Sequence, residues 1–298
     1  MSPQTVEHMR VLRPAEGVLA FYDGRVDGYR FADEPNWVDE GALALGIASY
    51  AVFDGSDALV YDTHVSVEHA RFVRQTLEEV GVRRFTVVLS HWHLDHVAGT
   101  TAFDGCEVIA NARTAELLAR DRTAIEAGEL DGPPPIDPLV LPTRTFTGQD
   151  HLDVGGIHVE LIQADIHSDD ATVLWIGDQN LLLAGDTMED TVTYVAEPDG
   201  FDRHLADLER LERLEPDRIL PNHGDPDVIA AGGYSKGLNR ATQQYIRVLK
   251  RLPDEPDLPE TPLEELIAGP LAAGWITYYD GYEAVHRENV ETVLARRG

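Results

Sequence analysis

Three imidazoles and one carboxylate fall within six consecutive residues, as His91, His93, Asp95 and His96 in the stretch Ser90-His91-Trp92-His93-Leu94-Asp95-His96. In an extended backbone His91 and His93 project the same way, because side chains alternate with period two. Asp95 and His96 follow on a turn and can address a second point a few ångströms away. Neutral imidazole nitrogen and carboxylate oxygen are ligands for zinc and its first-row neighbours. The chemistry such a cluster supports is metal-assisted: polarising a carbonyl and lowering the pKa of water. The plain alternative is a His-rich surface loop, and the elements around the cluster argue against it.

The apolar run Phe85-Thr86-Val87-Val88-Leu89 reads as a buried strand, so the cluster leaves the C-terminal end of a strand. Ahead of it, residues 58–62 read as another strand, ending in Asp62. Ser66 is an N-cap candidate, Val67, Ala70, Val73, Leu77 and Val80 recur at helical spacing, and Gly81 is a stop. Strand, helix, strand and then ligands is a βαβ unit delivering side chains to the edge of a sheet. On residue type alone Asp62 could cap the helix that follows.

The second half follows the same logic. Residues 158–164 alternate as a strand and run into Asp165-Ile166-His167; residues 171–176 and 181–184 form a hairpin that leads into Gly185-Asp186. A helix carrying Leu205, Leu208 and Leu211 precedes the short strand Arg218-Ile219-Leu220, which enters Pro221-Asn222-His223. Three separate strands thus each end in a ligand-type residue: His167, Asp186 and His223. Elsewhere, residues 17–22 and 42–53 read as strands with turns at Asp23-Gly24 and Asp54-Gly55, and residues 112–127 as a helix. Residues 132–142 are too proline-rich for core structure and read as a rigid connector. Beyond Gly233 the pattern becomes helical, which divides the chain into residues 1–233 and a helical extension, 234–298, packed on the same domain.

Composition bounds the rest. Acidic residues outnumber basic ones 53 to 24, a formal charge of −29, which repels nucleic-acid phosphates and anionic membranes. One cysteine, Cys106, rules out an intrachain disulfide. Met1 to Arg13 has charges throughout and no long apolar core, so a signal peptide is not expected, nor is any membrane span. The expectation is a cytoplasmic enzyme acting on a small molecule, with a homo-oligomer possible.

The order H-x-H-x-D-H, followed by His167, Asp186 and His223, resembles the ligand pattern of the metallo-β-lactamase-fold hydrolases, in particular the dinuclear glyoxalase II-like and lactonase-like branch. The resemblance covers roughly residues 17 to 225 by motif order. It implies an α/β fold, a four-layer αββα sandwich, here with a short helical C-terminal extension. Carried over position by position, it implies that His91, His93 and His167 hold one metal ion. Asp95, His96 and His223 would then hold a second, with Asp186 bridging. Two zinc ions per chain are expected, with iron or manganese as alternatives, and Asp95 and Asp186 as the catalytic carboxylates. Asp62 matches an acidic strand-end residue that supports the ligand loop, and Tyr194 is a candidate for the substrate pocket.

The function implied is hydrolysis of a carboxylic ester, thioester or lactone by a hydroxide shared between the ions. A mononuclear non-haem iron persulfide dioxygenase on the same fold is the alternative, distinguished by metal identity and count. A β-lactamase is disfavoured, because those enzymes lack the bridging Asp and are exported. A nuclease is disfavoured by the acidic composition and the lack of a basic arm.

Overall fold

The computed structural model describes residues 6–195 and 197–296. The first five residues of the Met1–Arg13 stretch therefore lie outside the described residues. Among the described residues twelve strands build two sheets. The first holds β1 (Arg10–Ala15), β2 (Val18–Asp23), β3 (Ile47–Asp54), β4 (Asp57–Tyr61), β5 (Arg84–Val88), β6 (Glu107–Asn111) and β7 (Arg144–Phe146), in that spatial order. It is antiparallel from β1 to β4 and parallel from β4 to β7. The second holds β8 (Gln149–Val154), β9 (Ile157–Ile166), β10 (Ser168–Ile176), β11 (Leu181–Gly185) and β12 (Arg218–Pro221), with β12 parallel to β11 and the rest antiparallel.

Among the described residues nine α-helices accompany them: α1 (Val67–Glu79), α2 (Leu94–Val97), α3 (Ala112–Ala127), α4 (Phe201–Glu212), α5 (Pro226–Ala230), α6 (Gly237–Arg251), α7 (Leu263–Leu266), α8 (Ala268–Ala272) and α9 (Tyr282–Ala295). The alternation of β2 explains the layering. Val18, Ala20 and Tyr22 point into one apolar cluster shared with the second sheet, while Leu19 and Phe21 point into another with Ala70, Val73 and Leu77 of α1 and Leu118 of α3. A strand buried on both faces needs cover on both sides, and the result is the αββα sandwich. Leu208 of α4, Leu249 of α6 and Val290 of α9 close the far side.

Three buried phenols tie the sheets together beside the strand ends. Tyr22 donates to Gly224 O at 3.1 Å, Tyr50 to Pro221 O at 2.5 Å and Tyr61 to Thr172 O at 2.5 Å. Each is fully buried. A buried hydroxyl left without a partner costs about 1–3 kcal/mol, so the residue types and the sheet spacing are mutually constrained.

Helix ends follow the sequence signals. Ser66 accepts from His69 N at the start of α1, Asn111 accepts from Arg113 N and Thr114 N at the start of α3, and Gly128 ends α3 at φ +68°. The strand reading over 42–53 is corrected in its first part: the strand begins only at Ile47, and Val38–Leu43 is a wide helical turn. Gly46 causes the break, at φ +75° and packed so closely that a Cβ there would sit 1.8 Å from the Tyr22 hydroxyl. Strands β1, β7 and β8 carry no clear apolar signal and were not anticipated.

The proline-rich segment acts as a strap as well as a connector, its Pro133 O and Pro134 O accepting from Trp37 N and Nε1. The helices after 233 share the main core: Tyr234 pairs with Ile219, and Tyr245, Tyr282 and Val293 belong to the inter-sheet cluster. Among the described residues no helix is long and apolar enough to cross a membrane.

Candidate metal centre

All seven candidate ligands meet at one edge of the sandwich. Asp62 follows β4, residues 90–96 follow β5, His167 sits in the β9–β10 junction, Asp186 follows β11 and His223 follows β12. The parallel strands β4, β5, β11 and β12 all present their C-terminal ends here, the place where open α/β sheets expose loops to ligands. Asp62 and His167 hold left-handed φ values of +65° and +70°. For non-glycine residues such strain costs on the order of 1–3 kcal/mol and persists only where surroundings fix it.

The ligand atoms fall into overlapping groups: His91, His93 and His167; His91, His96 and Asp186; Asp95, His96 and His223; within each group they lie no more than 4.8 Å apart. Asp186 Oδ2 is the shared point, 3.0 Å from His96 Nε2, 3.4 Å from His223 Nε2 and 3.7 Å from His91 Nε2. Asp95 reaches His96 Nε2 at 3.4 Å and His223 Nε2 at 3.3 Å. His93 Nδ1 faces His167 Nε2 at 3.0 Å.

Four of the five imidazoles have their outward nitrogen engaged. His91 Nδ1 lies 2.8 Å from Ser90 Oγ and His96 Nδ1 2.9 Å from Asp62 Oδ2. His167 Nδ1 lies 2.9 Å from Tyr194 O, and His223 Nδ1 2.9 Å from Gly46 O. Acceptors placed there leave the Nε2 lone pairs aimed inward. The inward atoms His91 Nε2, His96 Nε2 and Asp186 Oδ1 are buried without a hydrogen-bond partner. Buried polar atoms are rarely left so, and a donor set of imidazoles and carboxylates fits divalent zinc, iron or manganese.

Electrostatics divides the imidazoles. Burial lowers the basicity of His91, His93 and His167, His93 to about 3, with neighbouring imidazoles adding to the effect at His91 and His93. Those three favour the neutral, metal-ready form. Burial also opposes charge on His96 and His223, but Asp186 and the other carboxylates outweigh it and raise both. Burial would raise Asp186 and Asp95, yet His96 and His223 reverse this and hold both below the usual carboxylate range.

Asp62 accepts from His96, from Ser90 N at 2.7 Å and from Asn222 Nδ2 at 2.5 Å. Since Ser66 caps α1, the supporting role is the one the geometry favours. Tyr194 lines the cavity beside the cluster, but its hydroxyl donates to Glu288 Oε1 at 3.2 Å. Of the other histidines, His69 pairs with Asp23 at 3.0 Å and His286 with the Tyr245 hydroxyl at 2.9 Å, as ordinary buried histidines do.

The cavity of about 230 Å³ next to the cluster is also lined by Glu40, Leu45, Glu189, Val285 and Glu288, none of which was singled out from sequence. Glu189 accepts from Tyr194 N and the Tyr282 hydroxyl, and burial pushes its carboxyl up to about 8. The acidic pair Glu189-Asp190, directly after the Asp186 strand end, was the one available signal. Nothing in the sequence showed that α9 returns to this mouth.

Geometry and ancestry agree. The sequence profile of the Metallo-beta-lactamase superfamily matches residues 43–223, and the chain belongs to that superfamily. It is 24% identical over 216 residues to a Beta-lactamase-like protein 2 homolog of Drosophila melanogaster, covering 71% of this chain and 70% of that one. To the homolog of the same name from Caenorhabditis elegans it is 25% identical over 210 residues, 69% of this chain and 66% of that one. Among solved structures, a metallo-beta-lactamase from Pontibacter korlensis aligns at TM-score 0.60 and 17% identity, covering 80% of this chain and 99% of that chain. The DIM-1 metallo-beta-lactamase aligns at TM-score 0.55 and 18% identity, covering 78% of this chain and 97% of that one. At those identities the likeness is one of fold.

Proposed function

We propose that this protein is a dinuclear metal-dependent hydrolase of a carboxylic ester, thioester or lactone, with zinc as the first choice of metal. The observation that carries the reading is the set of inward-facing, unpartnered atoms on His91, His96 and Asp186, each beside a backed neighbour. His91, His93 and His167 would hold one ion, Asp95, His96 and His223 the other, and Asp186 would lie between them. Two bound dications would supply Lewis acidity to a carbonyl oxygen and lower the pKa of water.

The chain's own residues do the rest. Ser90, Asp62, Tyr194 and Gly46 fix the four backed imidazoles, so little reorganisation is needed when charge develops. Asp95, on the solvent-facing side at 19% side-chain exposure, is placed to orient water or pass a proton to a leaving group. Leu45 and Val285 give the cavity an apolar wall for the acyl or alcohol portion. A small-molecule substrate suits a cavity of about 230 Å³, and a cytoplasmic setting remains part of this reading.

The test is metal analysis of the purified chain, never exposed to chelator, followed by assays on simple esters, thioesters and lactones. About two zinc ions per chain and hydrolysis of one class are expected, with Asp186→Ala and His93→Ala losing metal and activity together. Full activity in either variant overturns the ligand assignment. One iron per chain, with oxygen consumption on a persulfide, replaces hydrolysis by the dioxygenase alternative.

A further inference from the structure

Away from the strand-end cluster, a second convergence of ligand-type side chains joins three different elements. Asp165 lies near the end of β9, Glu197 just precedes the turn Pro198–Gly200, and His204 lies in the first turns of α4. One ligand atom from each lies within 4.8 Å of the others. His204 has no exposed surface, and neither ring nitrogen has a hydrogen-bond partner. Its Nε2 lies 3.2 Å from Asp165 Oδ1, an oxygen that is itself buried without a properly directed donor. The other Asp165 oxygen is taken by Arg203 Nε, so Oδ1 alone faces the imidazole.

Two features indicate that the space is kept for a ligand. Gly200 borders it, and a Cβ at that position would come within 2.7 Å of His204 Nε2. Glu197 closes the third side; burial chiefly, and then the charges of Asp169 and Asp165, raise its carboxyl, while His204 and Arg203 oppose them. Arg203 offsets one charge of the pair of carboxylates and leaves one over.

We propose that Asp165, Glu197 and His204 form a third, structural site for a divalent cation, separate from the strand-end cluster. One imidazole and two carboxylates suit zinc or manganese, with water completing the shell. Ligand distances of about 2.0–2.2 Å require these donors to close up slightly, a movement that the half-buried Glu197 side chain can supply. The site would staple β9, the segment entering α4, and α4 itself. Both ends of that staple reach the strand-end cluster: Asp165 stands two residues before His167, and the same segment carries Tyr194, whose carbonyl holds the His167 ring. The cation therefore acts as a brace for His167 rather than in the reaction.

The experiment is metal counting, independent of any activity. The intact protein, loaded with zinc and dialysed, is compared with Glu197→Gln, His204→Ala and the double variant His93→Ala/Asp186→Ala. Expected is one equivalent fewer in Glu197→Gln or His204→Ala than in the parent. The strand-end double variant should retain one equivalent, lost when Glu197→Gln is added. A chelator competition should show at least a tenfold weaker affinity for that last ion in Glu197→Gln. Should His204→Ala fail to fold, Glu197→Gln alone decides, since it keeps size and polarity. Equal metal content and equal chelator resistance in parent and Glu197→Gln overturn the proposal, leaving His204 and Asp165 as a buried ion pair.

Discussion

Asp62 Oδ2 lies 2.9 Å from His96 Nδ1, so the carboxylate at the end of β4 sets the ring orientation of an imidazole delivered by α2. Its other oxygen accepts from Ser90 N at 2.7 Å and so holds the start of the same loop. One side chain thereby fixes both the direction of a candidate ligand and the path of the segment that carries it.

Asp62→Asn separates these two tasks. The amide oxygen can still accept from Ser90, but the amide nitrogen would confront two donors, His96 Nδ1 and Asn222 Nδ2. Loss of such a supporting carboxylate typically costs about 10–100-fold in metal affinity. Chelator competition on folded Asp62→Asn should show that weakening for part of the bound metal. Unchanged affinity would mean that Asp62 serves only the backbone.

The site was more legible in the sequence than much of the fold was. Each candidate ligand stands where an apolar run stops, and strand ends of that kind can be read locally. His167, Asp186 and His223 could be placed this way without knowing which strands pair. Strands β1, β7 and β8 could not, because His151 and Asp153 of β8 alternate with only Leu152 and Val154 and leave little apolar signal. The break at Gly46 was hidden for a different reason: it depends on a non-local close approach to the Tyr22 hydroxyl. Glu288 and Val285 were out of reach for the same reason, since the docking of α9 at the cavity mouth is a tertiary fact that no periodicity encodes. The role of Asp62 is likewise tertiary, since its partners His96 and Asn222 come from other elements while Ser66 caps the helix.

Tyr194 offers two groups to the site, and they are separable. Its backbone oxygen holds His167 Nδ1, whereas its hydroxyl is spent on Glu288. Tyr194→Phe removes only the hydroxyl, so metal content should be unchanged and kcat/KM should fall less than about tenfold. An oxyanion donor in the same place would cost about 100–1,000-fold in kcat. A loss of that size, with metal retained, would restore the hydroxyl to the chemistry.

Asp170 gives a stability test with a definite sign. Its carboxyl is buried and accepts from Ser168 Oγ at 2.6 Å, and burial pushes it up to about 6. The folded state then holds the proton more tightly than the unfolded chain, whose Asp titrates near 4. Stability from this group is complete below the unfolded value and is lost as pH rises through about 6. The full penalty above that point is about 3 kcal/mol. Asp170→Asn keeps an acceptor for Ser168 and carries no charge. Denaturant unfolding should find it more stable than the parent at pH 8 by up to about that amount, with the two converging near pH 4. A variant that is less stable at pH 8 would show that the ionised carboxylate has a partner worth more than its burial costs.

The charge at the mouth of the cavity should select among substrates. Glu40 and Glu288 line it as charged groups, whereas Glu189 beside them adds little charge because burial raises its carboxyl to about 8; no lysine or arginine lines it among the described residues, and Asp131 lies close enough to Asp95 and Glu288 for their charges to raise its carboxyl, burial being the larger cause. Glu40 and Glu288 are exposed, so their field acts mainly on approach and is screened by salt within about 10 Å at 0.1 M. Matched esters differing only in a distal trimethylammonium, neutral or carboxylate group would report it through kcat/KM at low ionic strength. The cationic ester should lead the anionic one by on the order of tenfold, and the ratio should narrow in Glu40→Gln/Glu288→Gln and at high salt. An equal or inverted order would show that the metal centre's own positive field governs the approach, and that the acidic mouth serves solubility rather than selection.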